Sequence, residues 1–316
     1  MPDTPLTVTI AIPTYRRPAL LQQTLEGLVQ QDYPAEQLEI LIIDNHSRDE
    51  TRAVVERFAG ARHVPHYVLE TQQGANFARN RAIAEAKGEV IVFGDDDILI
   101  GPEWVREIVR PFAENPPGRV GAVGGEVIPV FPEGCPPWVA VFHGPQAFRN
   151  EAGPLRPGQV PMSASLAFLR RTFGELGGFD TTVGRKGSVI FGGDENLAIR
   201  RLQQAGYEVW FAPAARARHQ MPASRTTLRY VRKHAFDSAR SRVVGRMRED
   251  RERGRSSAGY LASRFVGNVA KAAGFAALAA LSFVVFRPDA ARQNLVRSWR
   301  SCGYLYQIAR SATGRV

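Results

Sequence analysis

The sequence predicts an α/β chain: a mostly parallel sheet with helices on both faces, followed by a basic helical tail. Three observations predict it. Short β-branched runs alternate with segments of helical periodicity through the first part of the chain. Three chemically loaded clusters, Pro13-Thr14-Tyr15-Arg16, Asp44-Asn45-His46-Ser47 and Asp95-Asp96-Asp97, fall where those runs end, which is where a parallel sheet receives ligands. The charge is also divided. Residues 214–316 hold 21 basic and 5 acidic residues, whereas 1–213 hold 20 and 26.

Taken in order, Thr7–Ile12 (TVTIAI) is a buried strand by residue type, and Pro13 is expected to end it. Leu20, Leu21, Leu25 and Leu28 predict a helix over Pro18–Gln30. Glu39–Ile43 is a second strand, Arg48–Phe58 a helix and Tyr67–Leu69 a third strand. A helix over Asn76–Ala86 is closed by Gly88, read as the left-handed residue past the helix end. Glu89–Phe93 is the fourth strand, and a short helix is expected near Pro102–Arg110. Gly121–Val130 and Ser165–Leu169 resemble further strands, separated by a Pro- and Gly-rich loop region over Phe131–Pro161. Asp194–Ala205 reads as a helix closed by Gly206, and Glu208–Phe211 as a strand.

The 316 residues, 44% hydrophobic and 23% charged, have a globular composition, with room for about two domains. Cys135 and Cys302 are the two cysteines, too few for a disulfide scaffold or a four-cysteine zinc module, and they suit a reducing compartment. The N-terminal MPDTPLTVTI has no basic segment followed by an apolar one, so no signal peptide is expected and the protein is placed in the cytoplasm.

Adjacent carboxylates at Asp95, Asp96 and Asp97 repel one another, and a hard divalent cation such as Mn²⁺ or Mg²⁺ relieves that repulsion. In an extended chain Asp95 and Asp97 point the same way and could share one ion while Asp96 faces elsewhere. A solvated turn before a helix is the competing account. Trp104 and Trp138 could stack on a sugar or base, although packing explains them more simply. His46 is expected to be a loop residue, and His63, His66, His143 and His234 stand in no constellation.

These segments, over about residues 6–240, resemble the family-2 glycosyltransferases of the GT-A fold. IPTYRR (Ile12–Arg17) is similar to the first nucleotide-binding loop. DNHS (Asp44–Ser47) resembles Asp-Asp-Gly-Ser, with Asn and His in place of Asp and Gly. QGANFARNRAIAEAKGE (Gln73–Glu89) resembles the Gly-x-x-x-Ala-Arg-Asn helix, and FGDDD (Phe93–Asp97) the Asp-x-Asp metal motif. FGGDENLAIRRLQQAGYEVWFAPAARARH (Phe191–His219) resembles the acceptor-side element.

The resemblance implies inverting transfer of a sugar from a nucleoside-diphosphate sugar, with UDP the expected carrier, to a glycan or lipid-linked acceptor. Pro13, Thr14, Tyr15, Arg16, Asp44, Asn76, Arg79, Asp95 and Asp96 would line the donor. Asp95, Asp97 and His219 would hold the metal. Asp194 falls on the catalytic-base position, with Glu195 as the fallback, because Gly193 stands where the family has Glu. The glycines of Gly187–Gly193 would let that segment close over the donor. Arg225 and Arg229 resemble a basic stretch that could meet phosphate. The implied organisation is a catalytic domain over 1–240, with a donor half about 1–130 and an acceptor half about 131–240, and a tail over 241–316.

In the tail, Ala272–Phe286 carries no charge. Its 15 residues make a helix of about 22 Å, short of a ~30 Å hydrocarbon core, so a full crossing is the weaker expectation. Beyond it, Leu295, Trp299, Cys302, Tyr306 and Ala309 fall on one helical stripe flanked by Arg292, Arg297, Arg300 and Arg310. That pattern predicts a tail lying on an anionic membrane face through residues 255–316. The basic charge alone would also suit nucleic acid, but the acidic body does not, so no nucleic-acid partner is expected. A nucleotidyltransferase would share the acidic ligands, yet IPTYRR lacks the Gly-rich loop it needs. A non-catalytic nucleotide-sugar-binding or membrane scaffold protein would share the fold without the acidic cluster and Asp194.

Overall fold

The computed structural model describes residues 5–116, 118–181 and 194–313, which fall into two compact units. The first comprises 5–130, 145–181 and 194–220; the second comprises 131–144 and 221–313.

Among the described residues the first unit carries one sheet of nine strands. They are β1 (Val8–Thr14), β2 (Leu38–Asp44), β3 (Pro65–Leu69), β4 (Val90–Gly94), β5 (Ile98–Ile100), β6 (Val120–Val130), β7 (Gly153–Pro154), β8 (Ser165–Leu169) and β9 (Glu208–Gln220). The spatial order is β3-β2-β1-β4-β8-β6-β9-β5, with β7 on β9. β1, β2, β3 and β4 run parallel, as do β6 and β9. β8 is antiparallel to both β4 and β6, and β5 is antiparallel to β9, so the sheet is mixed. The helices of this unit are α1 (Pro18–Leu28), α2 (Thr51–Glu56), α3 (Ala75–Glu85), α4 (Trp104–Glu114), α6 (Arg171–Leu176) and α7 (Asp194–Gln204); α5 (Pro137–Ala140) lies in the second unit.

The central strands are apolar throughout because both faces are covered, and successive side chains alternate between them. Val8, Ile10 and Ile12 of β1 join Ile40 and Ile42 of β2, Val90 and Val92 of β4, Leu21, Leu25 and Leu28 of α1, and Trp104 and Ile108 of α4. The intervening Ala11, Leu41, Ile43, Ile91 and Phe93 join Ala78 and Ala82 of α3 and Ile199 and Leu202 of α7. Phe93 packs edge-on against Phe179, with ring centroids 5.4 Å apart. Trp104 is fully buried and donates its Nε1–H to Ser165 Oγ at 2.9 Å, so it belongs to the core and not to a sugar platform.

Four local expectations change. β1 continues through Pro13 to Thr14, because Pro13 sits in register with Ile43 at the end of the parallel pair. α2 is shorter than Arg48–Phe58, starting at Thr51 after residues 46 and 48 have turned left-handed. Gly88 is not a helix cap: α3 ends at Glu85, and a Cβ at Gly88 would lie 2.5 Å from the Thr9 nitrogen, so close approach to β1 demands glycine there. β9 extends nine residues beyond Phe211, to Gln220.

The second unit is helical: α5, α8 (Leu228–Glu252), α9 (Ala258–Val284) and α10 (Pro288–Ala312). α8 begins at a Thr227 cap, whose hydroxyl accepts the Tyr230 N–H. α8 and α10 share Ala239, Val243, Tyr304 and Ile308, and a second cluster joins Trp138 and Val139 of α5 to Val231, Ala235 and Val296. The crossing of α8 and α10 is close at Gly303, where a Cβ would lie 2.3 Å from the Phe236 carbonyl oxygen.

Candidate active site

The chemistry gathers at the carboxyl ends of β1, β2 and β4. Asp95, Asp96 and Asp97 form the tight turn from β4 to β5. β5 pairs with β9 so that Ile98 stands opposite His219, and the Gln220 N–H donates to the Asp97 carbonyl at 2.8 Å. This pairing fastens the end of β9 to the acidic turn. His219 Nε2 comes within 2.9 Å of Asp97 Oδ1. Asp95, Asp97 and His219 each offer one ligand atom, all within 4.8 Å of one another, and Asp97 is buried. Two carboxylate oxygens and an imidazole nitrogen gathered so tightly fit a divalent ion of mixed oxygen and nitrogen preference.

Asp96 turns away from this group. Its Oδ2 accepts from Thr14 Oγ1 at 2.8 Å, and its Oδ1 from Arg17 Nη1 at 3.0 Å. Burial pushes the Asp96 carboxyl up to about 6, with the Arg17 guanidinium working against that rise and Asp97 adding to it. Burial acts to lower the Arg17 value, but the neighbouring Asp96 and Asp97 outweigh it and hold the guanidinium above its ordinary range.

The loops after β1 and β2 are tied together. Asp44 is buried, and its Oδ1 accepts from both the N–H and the hydroxyl of Ser47, at 3.0 and 2.5 Å. Its Oδ2 accepts from the Tyr67 hydroxyl at 2.7 Å; burial and that bond hold the phenol well above its usual range. The Arg16 N–H donates to Ser47 Oγ at 2.9 Å, and the Arg16 guanidinium lies over the exposed Tyr15 ring. Gln73 Nε2 donates to the Tyr15 hydroxyl at 3.0 Å. Asn45 donates through Nδ2 to the Gln72 carbonyl at 2.7 Å and accepts the Gly74 N–H at 2.7 Å. Arg16, His46 and Arg48 all adopt left-handed backbone, φ 54°, 68° and 56°. Side chains other than glycine enter that region at a cost, and such strain gathers at functional sites.

On α3, Asn76 is buried, donating to the Asp180 carbonyl at 2.8 Å and accepting from Arg79 Nη1 at 2.9 Å. Arg79 also donates to Ser163 Oγ at 3.2 Å and lies over the Phe179 ring. Pro13 sits half-buried at the end of β1. Asp194 is the first residue of α7, and its side chain lies outside the described residues, as does the Gly187–Gly193 segment; Glu195 is half-buried on the same first turn. His63 is buried and holds the Gln31 carbonyl, a structural contact. In the second unit Arg225 is buried beside Met221, and Trp138 is buried in the core.

Two residues carry more of this site than their motifs suggest. Arg17 bonds both Asp96 and Asp97, yet in IPTYRR it is the second of two arginines and nothing in the spacing separates them. Asn45 stitches two loops through donors that a carboxylate lacks, and its departure from Asp-Asp-Gly-Ser was the available signal.

Residues 9–134 match the glycosyl transferase family 2 model. The chain is 26% identical over 252 residues to the glucosyl-dolichyl phosphate glucuronosyltransferase of Haloferax volcanii, covering 75% of this chain and 76% of that one. It is 27% identical over 303 residues to the succinoglycan biosynthesis protein ExoM of Rhizobium meliloti, covering 93% and 89%. Among solved structures, the mannosyltransferase PcManGT from Pyrobaculum calidifontis, in complex with GDP-Man and Mn²⁺, superposes with a TM-score of 0.62 at 21% identity, over 100% of this chain and 89% of that one. With its mixed sheet and the ordered motifs at the strand ends, the chain has the GT-A fold, and over residues 9–134 it is similar to the family-2 glycosyltransferases.

Proposed function

We propose that the protein moves a sugar, with inversion, from a nucleoside-diphosphate sugar to a glycan or lipid-linked acceptor in polysaccharide or glycolipid assembly. The observation that carries this reading is the convergence of Asp95, Asp97 and His219 at the carboxyl end of β4. A relative named for succinoglycan biosynthesis and another acting on a glucosyl-dolichyl phosphate support the acceptor class. The neighbour holding GDP-Man and Mn²⁺ supports a nucleotide sugar and a divalent ion. UDP is the carrier we put first.

Asp95, Asp97 and His219 would hold Mn²⁺ or Mg²⁺, which supplies positive charge to the departing diphosphate. Arg79 and the Pro13–Arg16 loop would line the donor, beside Asp44, Asn76 and Asp96. Asp194 would take the proton from the acceptor hydroxyl, which must attack from the face opposite the diphosphate. Glu195, on the same turn, is the other candidate base.

For the tail we propose an anionic membrane surface as partner, with the enzyme at the cytoplasmic face. The support differs from the sequence expectation in two respects. The apolar run belongs to the 27-residue α9, long and apolar enough by composition to cross a membrane, so the argument from a 15-residue length no longer holds. The stripe on α10 is only partly exposed: Trp299 and Tyr306 pack around Phe236, beneath Arg232 and Arg240. α9 instead leaves Phe265, Val266, Val269, Leu278, Leu281, Phe283 and Val284 open, and such a helix suits lipid better than water.

Thermal shift of the full chain with UDP-, GDP- and dTDP-sugars, each with and without Mn²⁺, tests the donor reading. The expected result is a rise with one nucleotide class that requires the ion. No rise with any pair at saturation overturns it.

A further inference from the structure

Arg17 stands at the end of the β1 loop, immediately before the first residue of α1. Its Nη1 donates to Asp96 Oδ1 at 3.0 Å and to Asp97 Oδ2 at 3.1 Å. Asp96 is itself fixed from its other oxygen by Thr14 Oγ1, at 2.8 Å. The Arg17 side chain is about one-third exposed, whereas both carboxylates are buried. A single cation therefore ties two buried carboxylates to the end of β1.

The two oxygens of Asp97 have different partners. Oδ2 is taken by Arg17 and Oδ1 faces His219 Nε2 at 2.9 Å. A carboxylate on a short side chain can rotate about its last bond, and a donor fixed on one oxygen removes that freedom. Carboxylates that bind metals are commonly oriented in this way by hydrogen bonds from behind. We propose that Arg17 is a positioning residue of the metal centre: it grips Asp97 by Oδ2, braces itself on Asp96, and so leaves Oδ1 on the side of His219 and Asp95.

A second consequence follows from charge. Three consecutive carboxylates in a partly buried turn repel one another, and one guanidinium bonded to two of them offsets that repulsion before any ion arrives. Arg17 thus keeps the turn in its binding shape in the ion-free protein. Asp96, held by Thr14 and Arg17, is the anchor of this brace.

This inference rests on the metal reading above, and one experiment separates the two. Mn²⁺ binding to the full chain is measured by titration calorimetry for the wild type, Arg17→Met and Arg17→Lys, alongside the Mn²⁺ dependence of donor turnover. Arg17→Met is expected to weaken Mn²⁺ binding by about 10–100-fold, the usual cost of losing a partner behind a metal ligand. Half-saturating Mn²⁺ rises by the same factor, while kcat at saturating Mn²⁺ stays within about threefold. Arg17→Lys, which keeps the charge and a donor, recovers part of the affinity. A merely structural role would lower kcat and stability without moving the Mn²⁺ requirement. If Arg17→Met loses the wild-type near-ultraviolet spectrum, Arg17→Gln replaces it with the same expectation. Wild-type affinity in the neutral variant overturns the role of Arg17 alone; a wild type that binds no Mn²⁺ overturns the metal reading and this role with it.

Discussion

His219 Nε2 lies 2.9 Å from Asp97 Oδ1, although Asp97 sits in the turn before β5 and His219 on β9, far apart in the chain. The antiparallel pairing of β5 with β9 makes the approach, with Ile98 opposite His219. An imidazole among carboxylates changes which ions the group prefers, since nitrogen ligands suit transition metals more than Mg²⁺. His219→Asn is expected to raise half-saturating Mn²⁺ by tenfold or more and to narrow the preference for Mn²⁺ over Mg²⁺. Rates measured against each ion in turn check this; unchanged curves for both would remove His219 from the site.

Asn45 occupies a position where a carboxylate would be mispaired. Its Nδ2 donates to the Gln72 carbonyl at 2.7 Å, and its Oδ1 accepts the Gly74 N–H at 2.7 Å. Asn45→Asp keeps the second bond and sets an oxygen against the Gln72 carbonyl. The expected loss is about 1–3 kcal/mol, an unmade bond plus repulsion at a buried site. That lowers Tm by several degrees, read by calorimetry, even though Asp is the residue of the motif it resembles. An unchanged Tm would mean the two loops are held together by other contacts.

The exposed face of α9 gives the membrane proposal a sharp test. Leu278 and Leu281 are 48% and 58% exposed, so a charge there costs the folded protein little in water. At the centre of a lipid layer the same charge is costly. Leu278→Glu with Leu281→Glu is expected to keep the wild-type Tm and to abolish sedimentation with vesicles containing one-third anionic phospholipid. Removal of the whole tail would be a poorer test, because Tyr304 and Ile308 of α10 complete the core of α8. Continued sedimentation of the double variant would refute the role of α9.

The strands legible in the sequence were those apolar on both faces, such as Ile10–Ile12 and Ile40–Ile43, where continuous burial leaves an unmistakable run. The sequence shows β9 only as far as Phe211, because its second half alternates buried alanine with exposed arginine, at Ala215, Arg216, Ala217 and Arg218. Alanine is a weak strand former, so the period of two was hidden. The acidic turn could be read locally, but its histidine could be placed only through resemblance, since strand pairing brings it there. On α10 the expected stripe ran through Leu295, Trp299, Cys302, Tyr306 and Ala309, whereas Val296, Ser298, Ser301, Gly303, Tyr304, Gln307 and Ile308 are buried. Small residues buy a close helix crossing that a count of hydrophobic residues misses.

That crossing can be tested at Gly303. A Cβ there would meet the Phe236 carbonyl oxygen at 2.3 Å, backbone that cannot step aside. Gly303→Ala should force α8 and α10 apart and lower stability by roughly 1–3 kcal/mol, the usual cost of overpacking. Chemical denaturation measures it. Alanine is the better helix former by about 1 kcal/mol, so a stabilised variant would show that the helices separate without penalty.

The base assignment has the largest expected effect. Asp194 opens α7 and Glu195 follows on the same turn. Positioned proton transfer is worth roughly 10²–10⁴-fold. Asp194→Asn is therefore expected to lower kcat by at least about 100-fold while the donor Kd changes by less than about threefold, because the amide keeps the shape and loses only the basic oxygen. Glu195→Gln should cost much less. Rates and donor binding measured on the same preparations separate the outcomes. A loss below about threefold in Asp194→Asn, joined to a large loss in Glu195→Gln, would move the proton transfer to Glu195 and would mean that glycine at residue 193 shifts the base one position along the helix.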